Sequence, residues 1–269
     1  MPFSVLISLY GRERPEYLRA CLESLCAQTL PADEVVLVFD GALPEALEAA
    51  VSDFQAALPL NIVRLPENVG LGRALDAGLR HCSHEWVFRM DSDDICLPQR
   101  FAEQCAYLAA HPDIRLLGAQ IEEFGGNPGQ ARSLRRVPCD DAAIRRFAQR
   151  RNPFNHMTAA YTRSAVASAG GYRHHPYMED YNLWLRMLAS GVRAANSDSV
   201  LVRARTGTAM MARRRGWHYV QSEWQLFRLK RQLRFQAALP ALYCFVLRAL
   251  PRLLPAALLE KLYRIVRRT

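Results

Sequence analysis

Four short apolar runs near the start of this 269-residue chain constrain its fold more than any other feature. Residues 3–9 (FSVLISL), 35–39 (VVLVF), 61–65 (NIVRL) and 85–90 (EWVFRM) have the length and the β-branched, aromatic character of buried strands. Between them, residues 15–30, 44–57 and 70–82 read as helices, the first with Leu18, Cys21, Leu22 and Leu25 on one stripe. Strands joined through crossover helices lie parallel, so the expected fold class is α/β, with a Rossmann-like, mostly parallel sheet flanked by helices. In such sheets ligands bind beyond the C-terminal ends of the strands, which is where Asp40 and Asp91 stand. A polar residue after a strand is also an ordinary turn residue, so neither position argues alone.

Further along, residues 97–117 read as helix then strand, and residues 122–136, around Gly125-Gly126-Asn127-Pro128-Gly129, read as a loop. Residues 181–190 form a helix on Leu183, Trp184, Met187 and Leu188, closed by Gly191. Asp91-Ser92-Asp93-Asp94 sets three carboxylates within four residues, and their mutual repulsion calls for a cation or for hydrogen bonds. Hard oxygen ligands suit Mg²⁺ or Mn²⁺, which take one or two carboxylates together with substrate phosphate oxygens. The alternative is an Asp-rich turn that caps the next helix.

Three segments together carry a resemblance. SVLISLYGRERPEYLRACLESLCAQTLPADEVVLVFDG resembles the nucleotide-binding start of family 2 glycosyltransferases. ENVGLGRALDAGLRHCSHEWVFRMDSDDICLPQRF is similar to their Asn-x-Gly segment leading into a D-x-D strand, and MEDYNLWLRML to their E-D-x-x-L-W-L-R helix. The resemblance covers roughly the first 205 residues and implies a GT-A fold, a nucleotide-diphosphate sugar donor and inversion at the anomeric carbon.

The same resemblance assigns roles. Asp40, Arg73, Asp91 and Ser4 are expected to bind the nucleotide sugar, Asp93 with Asp91 to hold the metal, and Asp180 to be the catalytic base. Glu179 and His156 are candidates for the acceptor, with helix N-capping and a buried structural imidazole as the plainer alternatives for Asp180 and His156. LVRARTGTAMMARRRGWHYVQSEW resembles a subgroup acting on undecaprenyl-diphosphate-linked sugars in bacterial surface polysaccharide synthesis. It implies a UDP-sugar donor, best read as UDP-galactose in a β-1,3 transfer to GlcNAc, with a glucosyl- or N-acetylhexosaminyl-transferase as the alternative. Arg203, Arg205 and Arg213-Arg214-Arg215 then become candidates for gripping the acceptor diphosphate.

Charge separates the chain into two parts, expected as a GT-A domain over residues 1–205 and a basic amphipathic helical tail over 206–269. Residues 1–202 carry a net charge of −4, whereas 203–269 hold 15 Lys or Arg against 2 Asp or Glu. Apolar stretches interrupted by Arg248, Arg252 and Pro240, Pro251 and Pro255 fit a spanning helix poorly and an interfacial anchor well, as does LLEKLYRIVRR at 258–268. A tail packed back on the body is the alternative. The expected location is the inner face of the cytoplasmic membrane, with no nucleic acid partner, although Trp217, Tyr219 and Trp224 beside the arginines keep that second reading open. Seven cysteines without a C-x-x-C pair agree with a reducing compartment.

Overall fold

A computed structural model describes residues 1–126, 129–206 and 216–253. The strands are β1 (Phe3–Tyr10), β2 (Glu34–Asp40), β3 (Leu60–Arg64), β4 (Trp86–Asp91), β5 (Ile95–Cys96), β6 (Leu116–Phe124), β7 (Ala131–Arg135), β8 (Ala160–Thr162) and β9 (Ala194–Arg205). The helices are α1 (Pro15–Cys26), α2 (Glu45–Ser52), α3 (Leu71–Leu79), α4 (Arg100–Ala110), α5 (Asp141–Ala148), α6 (Arg163–Ser168), α7 (Glu179–Ala189), α8 (Trp217–Gln232) and α9 (Ala238–Ala249). The sheet runs β3-β2-β1-β4-β8-β6-β9-β5, with β7 paired to β6. Its first four strands are parallel, as the crossover argument requires, and beyond β4 the pairing turns mixed.

Alternation along β1 divides the core. Val5, Ile7 and Leu9 face α1, α2 and α4, and Leu6, with Val36 and Val38 of β2, faces α3 and α7. Trp184 of α7 is fully buried in the second layer, a side chain whose removal from water contributes about 3 kcal/mol or less. Gly78 explains how close α3 lies to the sheet. A Cβ there would sit 2.5 Å from Val38 Cγ2 and 2.6 Å from Leu6 Cδ1, so the helix accepts glycine's cost of roughly 1 kcal/mol to gain that approach. Replacing Gly78 by valine would push α3 off the sheet.

Two expectations change. The stretch read as a loop over 122–136 contains the end of β6 and all of β7, an antiparallel pair that shifts register between Glu123 and Phe124; Asn127 and Pro128 lie outside the described residues. Its sequence hid this because ARSLR has no apolar alternation to show. Pro240 does not break the tail helix either: it sits in the first turn of α9, where its missing N–H costs nothing.

The start of the tail packs on the body. Tyr219, Val220 and Leu226 of α8 are buried, Lys230 donates to the Gln149 carbonyl at 2.8 Å, and Ser222 donates to the Pro176 carbonyl at 2.6 Å. Glu223, 2% exposed, accepts from Arg248 Nε of α9 at 2.7 Å and pins the second tail helix to the first. Among the described residues no helix is long and apolar enough to cross a membrane. Arg213-Arg214-Arg215 and the 258–268 stretch lie outside those residues.

Candidate active site

Every parallel strand delivers its C-terminal end to one edge, and the candidate residues collect there. Asp40 ends β2 opposite Tyr10, and Asp91 ends β4 opposite Ser8. Asp40 is buried and its carboxylate is fully engaged. Oδ1 accepts from the Val69 N–H at 2.7 Å, and Oδ2 from the Gly70 N–H and from Asn68 Nδ2, both at 3.1 Å. The Asn-x-Gly segment is therefore a loop folded around Asp40. Gly41 permits it, with φ +86° and space for no more than a hydrogen, since a Cβ would meet the Asn68 nitrogen at 2.7 Å. Asp40 shapes this wall of the site through the loop it holds.

At the end of β4 the three carboxylates crowd as the sequence suggests. Burial, then Asp91 and Glu13, push the Asp93 carboxyl up to about 7, and burial with Asp93 and Asp91 raises Asp94 well above its ordinary range. Asp94 Oδ1 accepts from the Arg205 N–H at 2.7 Å, while its Oδ2 is buried without a hydrogen-bond partner. Asp91 is ion-paired with Arg89, a fully buried guanidinium whose Nε and Nη1 have no hydrogen-bond partner. Burial works to discharge Arg89, but Asp91 reverses that and raises it above its ordinary value.

Opposite them stands the start of α7. Met178 is the N-cap, so Glu179 and Asp180 occupy the first turn and Asp180 does not serve as the cap. Asp180 Oδ2 accepts from Asn152 Nδ2 at 2.6 Å and Oδ1 from the Tyr181 N–H at 2.6 Å. Burial raises Asp180 despite those two donors, outweighing the helix dipole expected to keep it low. Burial and then Asp180 lift Glu179 to about 7. Glu179 packs on Gly72 of α3 and lines a cavity of ≈ 300 Å³ with Gly70, Leu71, His174 and Tyr177. Asp91 raises Glu179 and Arg89 lowers it, so the two acidic groups belong to one electrostatic unit.

Several expected residues sit elsewhere. Ser4 lies at the opposite end of β1, buried, donating to Glu34 Oε2 at 2.5 Å and accepting from the His84 N–H at 3.3 Å. It pairs with the beginnings of β2 and β4, six residues from the edge where the other candidates collect, and so ties strand starts together. His156 is buried against Tyr172 and Trp184, with Nε2 3.0 Å from the Tyr172 hydroxyl; burial, then Arg89, hold it neutral, far below its usual value. It is a structural imidazole. Arg203 pairs with Glu122 at 3.1 Å. Arg205 donates to the Asp93 carbonyl at 3.1 Å and lies between the rings of Tyr17 and Phe124, 3.7 and 4.6 Å from their centroids. Both arginines thus have protein partners in this structure. Arg73 is exposed on the first turn of α3, beside the loop held by Asp40.

Three participants escaped the sequence reading. Arg89 looks like an odd charge in an apolar strand, and that oddity was its signal. Asn152 sits 28 positions before Asp180, and Glu13, which accepts from the Ser92 hydroxyl at 3.1 Å, sits 79 positions before Ser92. Neither separation leaves a local trace. Among the described residues no three His, Cys, Asp or Glu side chains are grouped so as to hold a metal ion by themselves. A site completed by substrate phosphate oxygens needs only one or two carboxylates, and half-buried Asp93, with no ion pair among the described residues and raised by desolvation and then by like charges, fits as a donor that a cation would neutralise.

Comparison with known proteins bears on this geometry. The family model described as Glycosyl transferase family 2 matches residues 4–171. An uncharacterized glycosyltransferase of Haemophilus influenzae is 51% identical over 98% of both chains. The amylovoran biosynthesis glycosyltransferase AmsE of Erwinia amylovora is 49% identical over 97% of both. A UDP-Gal:alpha-D-GlcNAc-diphosphoundecaprenol beta-1,3-galactosyltransferase of Escherichia coli is 33% identical over 99% of this chain and 97% of its own. Among solved structures, the mannosyltransferase PcManGT of Pyrobaculum calidifontis, in complex with GDP-Man and Mn²⁺, superposes with a TM-score of 0.66 at 22% identity, covering 99% of this chain and 80% of that one. The fold is GT-A.

Proposed function

Because the chain belongs to glycosyl transferase family 2, we propose that it moves a hexose, galactose in β-1,3 linkage, from a UDP-sugar to GlcNAc-diphospho-undecaprenol, with inversion, in bacterial surface polysaccharide synthesis. The observation that carries the proposal is the half-buried Glu179-Asp180 pair at the head of α7, set in one electrostatic unit with the Asp91–Asp93 edge. The 33% identical relative along its whole length supports the choice of donor and acceptor.

The residues divide the work in this reading. Asp180 takes the proton from the acceptor hydroxyl as that oxygen bonds to the anomeric carbon and the bond to the UDP β-phosphate oxygen breaks on the opposite face. Asn152 and the Tyr181 N–H aim the Asp180 carboxylate, and burial keeps it basic enough to accept. Asp93, with the free oxygen of Asp91, would hold the divalent cation, Mn²⁺ or Mg²⁺. Such an ion supplies Lewis-acid neutralisation of the leaving diphosphate. Arg205 keeps the Asp93–Asp94 turn in place, the loop locked by Asp40 forms one wall of the nucleotide site, and Arg73 at its rim meets the phosphates.

The membrane contact is proposed for α9. Leu239, Leu242, Tyr243, Val246, Leu247 and Leu250 are exposed at helical spacing, while Ala241 and Ala249 are buried. With Arg231, Arg234 and Arg252 near, and Lys261, Arg264, Arg267 and Arg268 following in the sequence, the occupant that fits this stripe is an anionic bilayer at the inner membrane face.

The test is UDP release from a panel of UDP-sugars with a synthetic GlcNAc-diphospho-lipid acceptor, in Mn²⁺ and then in EDTA. Turnover with UDP-galactose that stops in EDTA is expected. Turnover with a different UDP-sugar would replace the hexose, and silence with every donor would refute the acceptor.

A further inference from the structure

Behind the wall formed by His174, a second cavity of ≈ 310 Å³ opens between the 173–176 loop, α7 and α8. Its lining includes Arg173, His174, Asn182, Trp224, Gln225 and Arg228. Its volume is that of about ten waters in the liquid. No acid lines it, and among the described residues neither Arg173 nor Arg228 pairs with a carboxylate. Arg186 underlies the same place. Its guanidinium is satisfied by Asn182 Oδ1 and by the Ala169 and Gly171 carbonyls, with no carboxylate among its hydrogen-bond partners. Burial, then Arg173, push Arg186 down to about 10, against the opposite pull of Asp76.

We infer that this cavity is a subsite for an organic diphosphate, with Arg173 and Arg228 as its anion-binding side chains. Two guanidinium forks, the amide of Gln225 and a half-exposed indole match the chemistry of a phosphate ester that continues into an apolar chain. Position supplies the rest of the argument. His174 lines both this cavity and the one that holds Glu179, so the two cavities are neighbours. Trp224 stacks on Phe227 and meets the edge of Phe245 of α9, with centroids 5.0 and 5.4 Å apart, so the cavity opens toward the same helix that carries the exposed apolar stripe. The acceptor diphosphate thereby moves from Arg203 and Arg205, which the fold has engaged, to the α7–α8 junction. The identity of the acceptor rests on the proposed function; the cavity's affinity for a diphosphate does not.

Two measurements on the full chain separate these claims. The first is calorimetric binding of dodecyl diphosphate in EDTA, where the Asp91–Asp93 edge repels an anion, for wild type, Arg173→Gln, Arg228→Gln and Arg228→Lys. Inorganic pyrophosphate and dodecyl phosphocholine are the comparison ligands. Dodecyl diphosphate should bind, each glutamine variant should lose at least about tenfold, and Arg228→Lys should lose less. Tighter binding of dodecyl diphosphate than of pyrophosphate identifies a lipid ester as the ligand, and equal binding identifies free diphosphate. Equal affinity in wild type and both glutamine variants, or equal binding of dodecyl phosphocholine, would overturn the subsite. The second is the ratio of kcat/KM for GlcNAc-diphospho-lipid to that for a neutral alkyl GlcNAc glycoside. The glutamine variants should lower that ratio about tenfold or more. An unchanged ratio in an active enzyme would refute the subsite while leaving the transferase reading intact, whereas diphosphate binding without any transfer would do the reverse.

Discussion

Removing one charge from the crowded edge of β4 should make the metal-free protein more stable, against the usual effect of altering an active site. Asp93 is raised from 3.8 to about 7 because it is partly desolvated and lies beside Asp91 and Glu13. A folded-state carboxyl that holds its proton more tightly than the unfolded one contributes stability below pH 3.8 and loses that contribution as the pH rises toward 7. The full span corresponds to roughly 4 kcal/mol, and relaxation and coupling to Asp94 reduce the realised effect to about 2 kcal/mol. Asp93→Asn keeps the shape and discards the charge. In EDTA at pH 8 its melting temperature should exceed wild type by roughly 4–8 °C, and at pH 4 the two should coincide within about 1 °C. Saturating Mn²⁺ at pH 8 should raise the wild type and leave the variant where it was, closing the gap. Differential scanning fluorimetry across this grid decides the matter. An Asp93→Asn protein that melts at or below wild type at pH 8 in EDTA would refute the account of crowding, whatever its activity.

Asp180→Asn should retain the fold and UDP binding and lose about 10²-fold or more in kcat, read by single-turnover transfer; near-normal turnover would remove it from the mechanism. Arg205→Ala, which removes the side-chain bond to the Asp93 carbonyl and keeps the backbone bond to Asp94, should raise the donor KM by about tenfold, whereas Ser4→Ala should leave that KM within about twofold and cost about 1 kcal/mol of stability. Both are measured by steady-state kinetics beside a urea melt, and a donor KM that follows Ser4 would return that residue to the site. Leu242→Glu with Leu247→Glu should lower cosedimentation with anionic vesicles by at least about tenfold without shifting the melting temperature, since both side chains are exposed. Unchanged sedimentation would remove α9 from the membrane contact.

The first half of the fold was legible because β1 and β2 are buried on both faces and β4 nearly so, and such strands appear as mostly apolar runs. β5, β7 and β8 are short or half-solvated and have no such signature, which is why residues 122–136 read as a loop. The site was legible where a motif is local: Asp91-Ser92-Asp93-Asp94 and Glu179-Asp180 each announce themselves by charge crowding. Ser4 was misplaced because a resemblance spanning a whole strand does not say which end of it bears the ligand. His156 was misplaced because its partners, Tyr172 and Trp184, are remote in sequence. Arg205, at the end of β9, is the same residue type whether it grips a phosphate or lies between two rings, and its rings, Phe124 and Tyr17 of α1, are 81 and 188 positions earlier.

The docking of α8 has a practical consequence for recombining this chain with its relatives. A crossover near residue 206, where composition changes, would cut through a packed contact rather than between independent parts. His175 Nε2 lies 2.9 Å from the Ser222 carbonyl and its Nδ1 3.0 Å from Asn182 Nδ2, Lys230 reaches back to Gln149, and the Lys230 ammonium lies 4.9 Å from the centre of the Tyr181 ring. Exchanging α8 alone would leave Lys230's replacement against a foreign carbonyl and the head of α7, with its two carboxylates, resting on a mismatched helix. Transplantable modules of this protein therefore begin before Gln149: α7 and α8 have to travel together, as lock and key of one inherited piece.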